Sequence, residues 1–131
     1  MNEALTKLPE KFLERVMRIV PKEQQQEVLR AFCQQKPLTF RANTLRITAD
    51  ELEEKLKQLK IFAVRIPWYT DAFSLEGKRD EMLKTLMETP LYKEGLLYIQ
   101  SLSSMIPALV LNPHPKELVL DLAAAPGSKT T

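Results

Sequence analysis

The sequence predicts an α+β domain, a helical hairpin plus a small sheet, that leads into the first strand of a parallel α/β unit. Three observations carry this. Apolar residues recur at helical spacing up to Gln35, and strand-like and helix-like segments alternate from Leu38 to Ile99. A continuous apolar run, Leu118-Val119-Leu120, is then followed at once by Asp121 and a loop of small residues.

In the first segment, Phe12, Val16 and Ile19, then Val28, Leu29 and Phe32, form apolar stripes among charged and Gln positions. Pro9 and Pro21 stand where helices begin, because a missing N–H costs nothing in a first turn. A helical hairpin from Pro9 to Gln35 follows, closed by Lys36-Pro37. Leu38 to Ile47 reads as a strand rich in Thr, Leu and Ile. Thr48-Ala49-Asp50-Glu51 is a capping box: the Thr48 hydroxyl can accept from the Glu51 N–H while the Glu51 carboxylate reaches back to the Thr48 N–H. Leu52, Leu56 and Leu59 then make one apolar stripe, and Glu51/Lys55 and Glu53/Lys57 are correctly oriented i,i+4 pairs.

Phe62, Val64 and Ile66 alternate with Ala63 and Arg65, predicting a second strand stopped by Pro67. Ala72 to Glu76 is a third, turning at Gly77, and Asp80 to Met87 a short helix ended by Thr89-Pro90. Leu96 to Ile99 predicts a short strand, and Ser101 to Leu111 a helix carrying Met105 and Leu109 that Asn112-Pro113 ends. Leu118 to Leu120 is the signature of a strand covered on both faces. The parallel unit it opens is expected to break off at Thr131, where the crossover helix would start.

Composition narrows the classes. At 131 residues the chain holds about one domain, taking ~150 residues per domain. Hydrophobic residues at 44% and charged residues at 27% fit a packed globular chain. Nineteen basic against 17 acidic residues leave a net charge of +2, so any nucleic-acid contact has to be local. The single cysteine, Cys33, excludes an internal disulfide framework and a Cys-based zinc site, and no metal is expected. No run of about 18 apolar residues predicts a membrane helix, and MNEALTKLPEKF is unlike a secretory signal. Cytoplasmic residence without membrane contact is expected.

The chemistry sits after Asp121. A buried strand, an acidic residue at its carboxyl end and small residues leading into a helix make a ligand cradle, because backbone N–H groups can approach a ligand closely there. Ala123, Ala124, Ala125 and Gly127 supply that closeness. A P-loop needs Gly directly before Lys-Ser/Thr and another Gly five residues earlier, but Ser128 intervenes and Leu122 holds the earlier position. A dinucleotide fingerprint needs three glycines in one loop, and the chain's three stand at 77, 95 and 127.

The segment DLAAAPGSKTT resembles motif I of the RNA cytosine-C5 methyltransferases of the NOL1/NOP2/Sun family. Upstream, Gly95-Leu96-Leu97-Tyr98-Ile99-Gln100 with Ser103-Ser104-Met105-Ile106-Pro107 is similar to the family's segment before motif I, although Ser101 stands where an acidic residue often follows the Gln. Arg41, Asn43, Thr44 and Leu45 are similar to its R-x-N-T-L element, and Ile66-Pro67-Trp68 with Phe73 to its bacterial small-subunit rRNA branch. The likeness runs from about Arg41 to Thr131.

The resemblance implies a Rossmann-like methyltransferase domain using S-adenosyl-L-methionine and acting on RNA, with rRNA ahead of tRNA. By position, Ala123, Ala124, Ala125, Pro126, Gly127, Ser128 and Lys129 would line the methionine end of the cofactor, with Lys129 facing its carboxylate and Asp121 orienting the loop. The family's nucleophilic cysteine, which attacks C6 of cytosine, lies beyond motif I, so no catalytic residue is assigned here and Cys33 is excluded by motif order. Residues 1–94 are then an accessory, RNA-facing α+β domain and 95–131 the start of the methyltransferase domain, so the chain alone is expected to be inactive.

Plainer readings stand beside these. Cys33 suits a small core position, and His114 between two prolines a solvated loop. Trp68-Tyr69 could stack on an unpaired base or fill the core. Arg41, Arg46 and Arg65 could meet RNA phosphate from one sheet or simply be solvated. LAAAPGSKTT could be a purely structural turn, and the whole chain a non-catalytic RNA- or ribosome-binding module. Oligomeric state is not encoded in any motif found.

Overall fold

The computed structural model describes residues 8–125 and 127–130. The chain divides into two compact units, Met1–Lys36 and Pro37–Thr131.

The first unit is the expected hairpin. Helix α1 (Glu10–Ile19) is followed by a 3-10 turn (Lys22–Gln24) and helix α2 (Gln25–Cys33), with Pro9 and Pro21 in the N-cap positions of α1 and of the turn. The Phe12 and Phe32 rings meet edge to face at 5.2 Å. Gln25 Nε2 donates to the carbonyls of Met17 at 2.8 Å and Val20 at 3.0 Å, satisfying groups that the end of α1 leaves without helical partners. No residue of α1 or α2 is buried.

The second unit is a four-stranded sheet with helices on both faces. In chain order it comprises β1 (Leu38–Ala42), α3 (Ala49–Gln58), β2 (Ala63–Ile66), β3 (Tyr69–Leu75), α4 (Arg79–Glu88), α5 (Pro90–Lys93), β4 (Leu97–Ile99) and α6 (Leu102–Leu111). The strands lie in the order β2-β3-β1-β4, every neighbouring pair antiparallel. Each βαβ connection skips a strand, which is the ferredoxin-like βαββαβ arrangement.

Alternation along β1 decides the two faces. Leu38, Phe40 and Ala42 point into the main core, where the Phe40 ring stacks on Phe73 at 5.4 Å, while Thr39 and Arg41 belong to the other face. Helix α3 covers the core face through Leu52 and Leu56, both fully buried. Its start has both halves of the expected capping box: Glu51 N–H donates to Thr48 Oγ1 at 3.2 Å, and Thr48 N–H to Glu51 Oε2 at 3.0 Å. Glu53 and Lys57 pair at 2.7 Å. Leu86 of α4 and Leu91 of α5 complete the layer.

The structure departs from the sequence reading in five places. The first strand ends at Ala42 rather than Ile47, because the Asn43 carbonyl accepts from the N–H groups of Arg46 and Ile47 and closes a turn. Helix α5 was not anticipated; Pro90 opens it and Thr89 Oγ1 accepts from the Tyr92 N–H. Leu59 falls at the C-cap of α3 and leaves the stripe half-exposed. In β2 the apolar alternation lies on the second sheet face rather than in the main core: Val64 pairs opposite Ser74, Phe62 and Val64 are exposed, and Ile66, next to a register shift after Arg65, is buried against Ala72 and Met105. Finally, Leu118 to Leu120 forms no ladder among the described residues, and all three side chains are exposed. An apolar run becomes a strand only against a hydrogen-bonded neighbour, and none of the described segments forms a ladder with it.

Helix α6 is apolar apart from Ser103 and Ser104, yet only Met105 is buried, against Ile66 and Ala72. It therefore covers part of the second sheet face. Asn112 ends it in the left-handed conformation at φ 43°.

Candidate functional site

On the sheet face not occupied by the main core, Arg41 and Tyr98 are paired across β1 and β4, and the guanidinium lies 5.6 Å from the Tyr98 ring centre. Arg41 Nε donates to Gln100 Oε1 at 3.0 Å. Asn43, two positions on, donates its side-chain amide to the Gly95 carbonyl at 2.8 Å and its backbone N–H to the Leu96 carbonyl. Arg46 reaches the Glu94 carbonyl at 2.6 Å. Asn43 of the R-x-N-T-L segment and Arg46 just after it thus fasten the approach to β4. Between them, Tyr69 and the Met105 side of α6 opens a cleft of about 520 Å³. Its mixture of one cation and two tyrosines suits a planar or anionic ligand group.

Gln100 stands just beyond β4 with 6% of its surface exposed, and every polar group it carries is engaged. Its N–H donates to the Thr39 carbonyl and its own carbonyl accepts from Thr39 Oγ1. Its side-chain nitrogen donates to the carbonyls of Ser104 and Ser128. The second of these reaches the small-residue loop.

That loop is closed by Asp121. Its Oδ1 accepts from the Ala123 N–H at 2.8 Å and its Oδ2 from the Thr130 hydroxyl, so one carboxylate ties both ends together. The Thr130 hydroxyl first, then the Ala123 N–H and the charge of Lys129, hold this carboxyl below its ordinary value. Gly127 takes φ +99°, a region that side chains rarely tolerate, which gives this glycine its conformational reason. Ala123, Ala124, Ala125 and Lys129 are exposed and Ser128 is half-buried. Pro126 lies outside the described residues. A second cleft of about 520 Å³ is bordered by Leu111, Val119, Asp121, Ala123 and Lys129.

Other sequence candidates are not gathered here. Arg65 lies on the core side of β2, bound to Asp50 and Glu53 of α3 and stacked 5.5 Å over Phe73, so it does not share a surface with Arg41. Trp68 is half-exposed and stacks on Tyr69 at 6.4 Å, while Tyr69 packs beside the small Met105 cluster. His114 is exposed in a turn whose N–H donates to Glu117 Oε2. Cys33 is a free, half-buried thiol in the first unit. Among the described residues no group of three His, Cys, Asp or Glu could hold a metal, and no helix is long and apolar enough to cross a membrane. Sequence reasoning quoted Gln100 within a motif but missed its junction, since its bonds to Thr39 and Arg41 span about sixty positions.

The fold is shared with solved methyltransferases. A methyltransferase homologue from Pyrococcus horikoshii superposes with a TM-score of 0.72 at 32% identity, over 94% of this chain and 43% of that one. NSun6 from the same organism, solved with SFG, has the same fold, with a TM-score of 0.74 at 19% identity over 93% of this chain and 54% of that one. The sequence profile described as the N-terminal domain of 16S rRNA methyltransferase RsmF matches residues 8–102, and the chain belongs to that family. Curated relatives include ribosomal RNA small subunit methyltransferase F from Vibrio campbellii, 41% identical over 95% of this chain, and from Psychromonas ingrahamii, 35% identical over 96%. The chain spans about a quarter of their length, 26% and 27% respectively.

Proposed function

We infer that this chain serves as the N-terminal portion of an S-adenosyl-L-methionine-dependent RNA (cytosine-5) methyltransferase that acts on small-subunit rRNA in the cytoplasm. Family membership supports the transferase and its rRNA substrate, and the motif I likeness supports the cytosine-5 chemistry and the cofactor. The observation that carries the cofactor reading is the loop itself. Asp121 closes it without help from a ligand, using the Ala123 N–H, Gly127 takes a backbone conformation that side chains rarely tolerate, and the exposed Ala124 and Ala125 put little side-chain bulk over the backbone.

These residues fit the methionine end of the cofactor. Ala123 to Ser128, Pro126 included, would meet it mainly through the backbone, and Lys129 would offset its carboxylate. When bound, the cofactor supplies the methyl group. The nucleophilic cysteine belongs to the part of the enzyme that follows motif I. In this reading residues 1–94 form the accessory, RNA-facing part and 95–131 begin the methyltransferase domain, whose first strand Leu118 to Leu120 would supply. RNA contact is assigned to the Arg41–Tyr98 cleft, because α6 occupies part of the sheet face on which a four-stranded RNA-binding sheet stacks bases.

The test uses the complete protein with labelled cofactor and small-subunit rRNA. Label is expected at C5 of cytosine, calorimetry should show a large loss of cofactor affinity in Gly127→Val, and the isolated 131-residue chain should transfer nothing above background. Equal affinity in Gly127→Val and wild type would sink the cradle assignment.

A further inference from the structure

Gln100 is the residue at which the sheet, the first turn of α6 and the loop after Asp121 meet. A primary amide is suited to this, because one planar head both accepts and donates. Here the acceptor takes Arg41 Nε, and the nitrogen serves the carbonyls of Ser104 and Ser128. The head is held from both sides. Behind it the backbone is locked to β1 by the reciprocal pair with Thr39, and Arg41 is itself steadied on the Tyr98 ring. Gln100 is buried, so water competes little for these bonds and the loss of any one leaves a polar group unsatisfied.

The consequence reaches the loop through peptide geometry. In a planar trans peptide the C=O of one residue and the N–H of the next point in opposite directions. Holding the Ser128 carbonyl toward Gln100 therefore aims the N–H of Lys129 away from it, and Lys129 borders the cleft beside Asp121. Asp121 closes the loop's ends, whereas the Gln100 bond orients a peptide within it.

We propose that Gln100 is a positioning residue for the cofactor loop, setting the Ser128–Lys129 peptide and coupling it to Arg41 on the sheet. This rests on reading the loop as the S-adenosyl-L-methionine cradle, and two controls keep the ideas apart.

In the complete protein, cofactor affinity is measured by calorimetry beside thermal stability for wild type, Gly127→Val, Gln100→Glu, Gln100→Leu and Arg41→Ala. Gln100→Glu keeps the acceptor for Arg41 but loses both donors, so it should weaken cofactor binding about tenfold with a smaller change in Tm. Gln100→Leu should do the same, and Arg41→Ala, acting only through Gln100, should have a smaller effect of about threefold. KM for the cofactor should rise in the same order. Affinity within about twofold of wild type in both Gln100 variants, with Gly127→Val impaired, overturns the positioning role alone. Wild-type affinity in Gly127→Val overturns the cradle reading instead. Should both Gln100 variants fail to fold, the side-chain amide resonances of wild-type Gln100 decide. Shifted, exchange-protected signals on cofactor saturation are expected, and unchanged signals overturn the proposal.

Discussion

Leu38 and Leu118 head two segments that the sequence reads as strands, and the structure treats them oppositely. Leu38 opens β1 and keeps 1% of its surface exposed, whereas Leu118 is fully exposed at 102%. The first run has β3 on one side, β4 on the other and α3 and α4 across its face. The second has no ladder partner among the described residues. Burial is thus a property of the neighbours a segment acquires, and the wholly apolar segment is the one left exposed. The βαββαβ unit is held by a closed apolar core, the tail after Asn112 by a few polar ties such as Asp121 and Gln100.

The comparison breaks most visibly where the core is thickest. Phe40→Ala removes a fully buried ring stacked on Phe73 and should destabilise the chain by about 3–5 kcal/mol, read as the shift of a urea midpoint. Leu56→Ala, opening a smaller cavity under α3, should cost about 2–4 kcal/mol in the same experiment. Thr48→Ala removes only the cap, at about 1 kcal/mol, and should speed hydrogen exchange in the first turn of α3 more than elsewhere. At the other extreme, Leu118→Ser should change the stability of this chain by less than about 0.5 kcal/mol. A Leu118→Ser effect as large as that of Leu56→Ala would abolish the contrast.

A pH titration sharpens the contrast by separating caps from core. The Thr48 N–H and hydroxyl hold the Glu51 carboxyl below its ordinary value of 4.5, and Thr130 with Ala123 does the same for Asp121. A folded-state value below the unfolded one means that each contribution is present above the unfolded pKa and is lost as pH falls through the folded one. Acid should therefore loosen the start of α3 and the ends of the Asp121 loop before the Phe40 core melts. Glu51→Gln should flatten the acid limb of Tm against pH, and an unchanged limb would show that the capping box contributes nothing there.

How much could be read beforehand follows from the range of each interaction. The capping box at Thr48 and Glu51, the Glu53–Lys57 pair and the helical hairpin are local, within four residues or one apolar stripe, so spacing alone exposes them. The small-residue loop was legible because its chemistry lies in consecutive residues, and Gly127 does take a positive φ. The place of Arg65, left open between RNA phosphate and a solvated face, is not legible for the opposite reason. Alternation along β2 puts Val64 and Ile66 on one face and Arg65 on the other, but only pairing with β3 decides that Arg65 takes the core side against α3, and only Met105 decides that Ile66 is covered while Val64 stays exposed.

The sequence by itself therefore determined where α1, α3 and α6 start, that the segments around Phe40 and Phe73 are extended, and which loop is built of small residues. Those outcomes depend on dihedral preferences and hydrogen bonds a few residues apart, which each segment carries with it. Tertiary structure alone decided the strand order β2-β3-β1-β4, the face each strand presents, the covering of one sheet face by Met105, and the meeting of Arg41, Gln100 and Ser128. Such contacts join residues tens of positions apart, and one step of register exchanges the two faces of a strand, so they are set by the packing of the whole unit rather than by any segment within it.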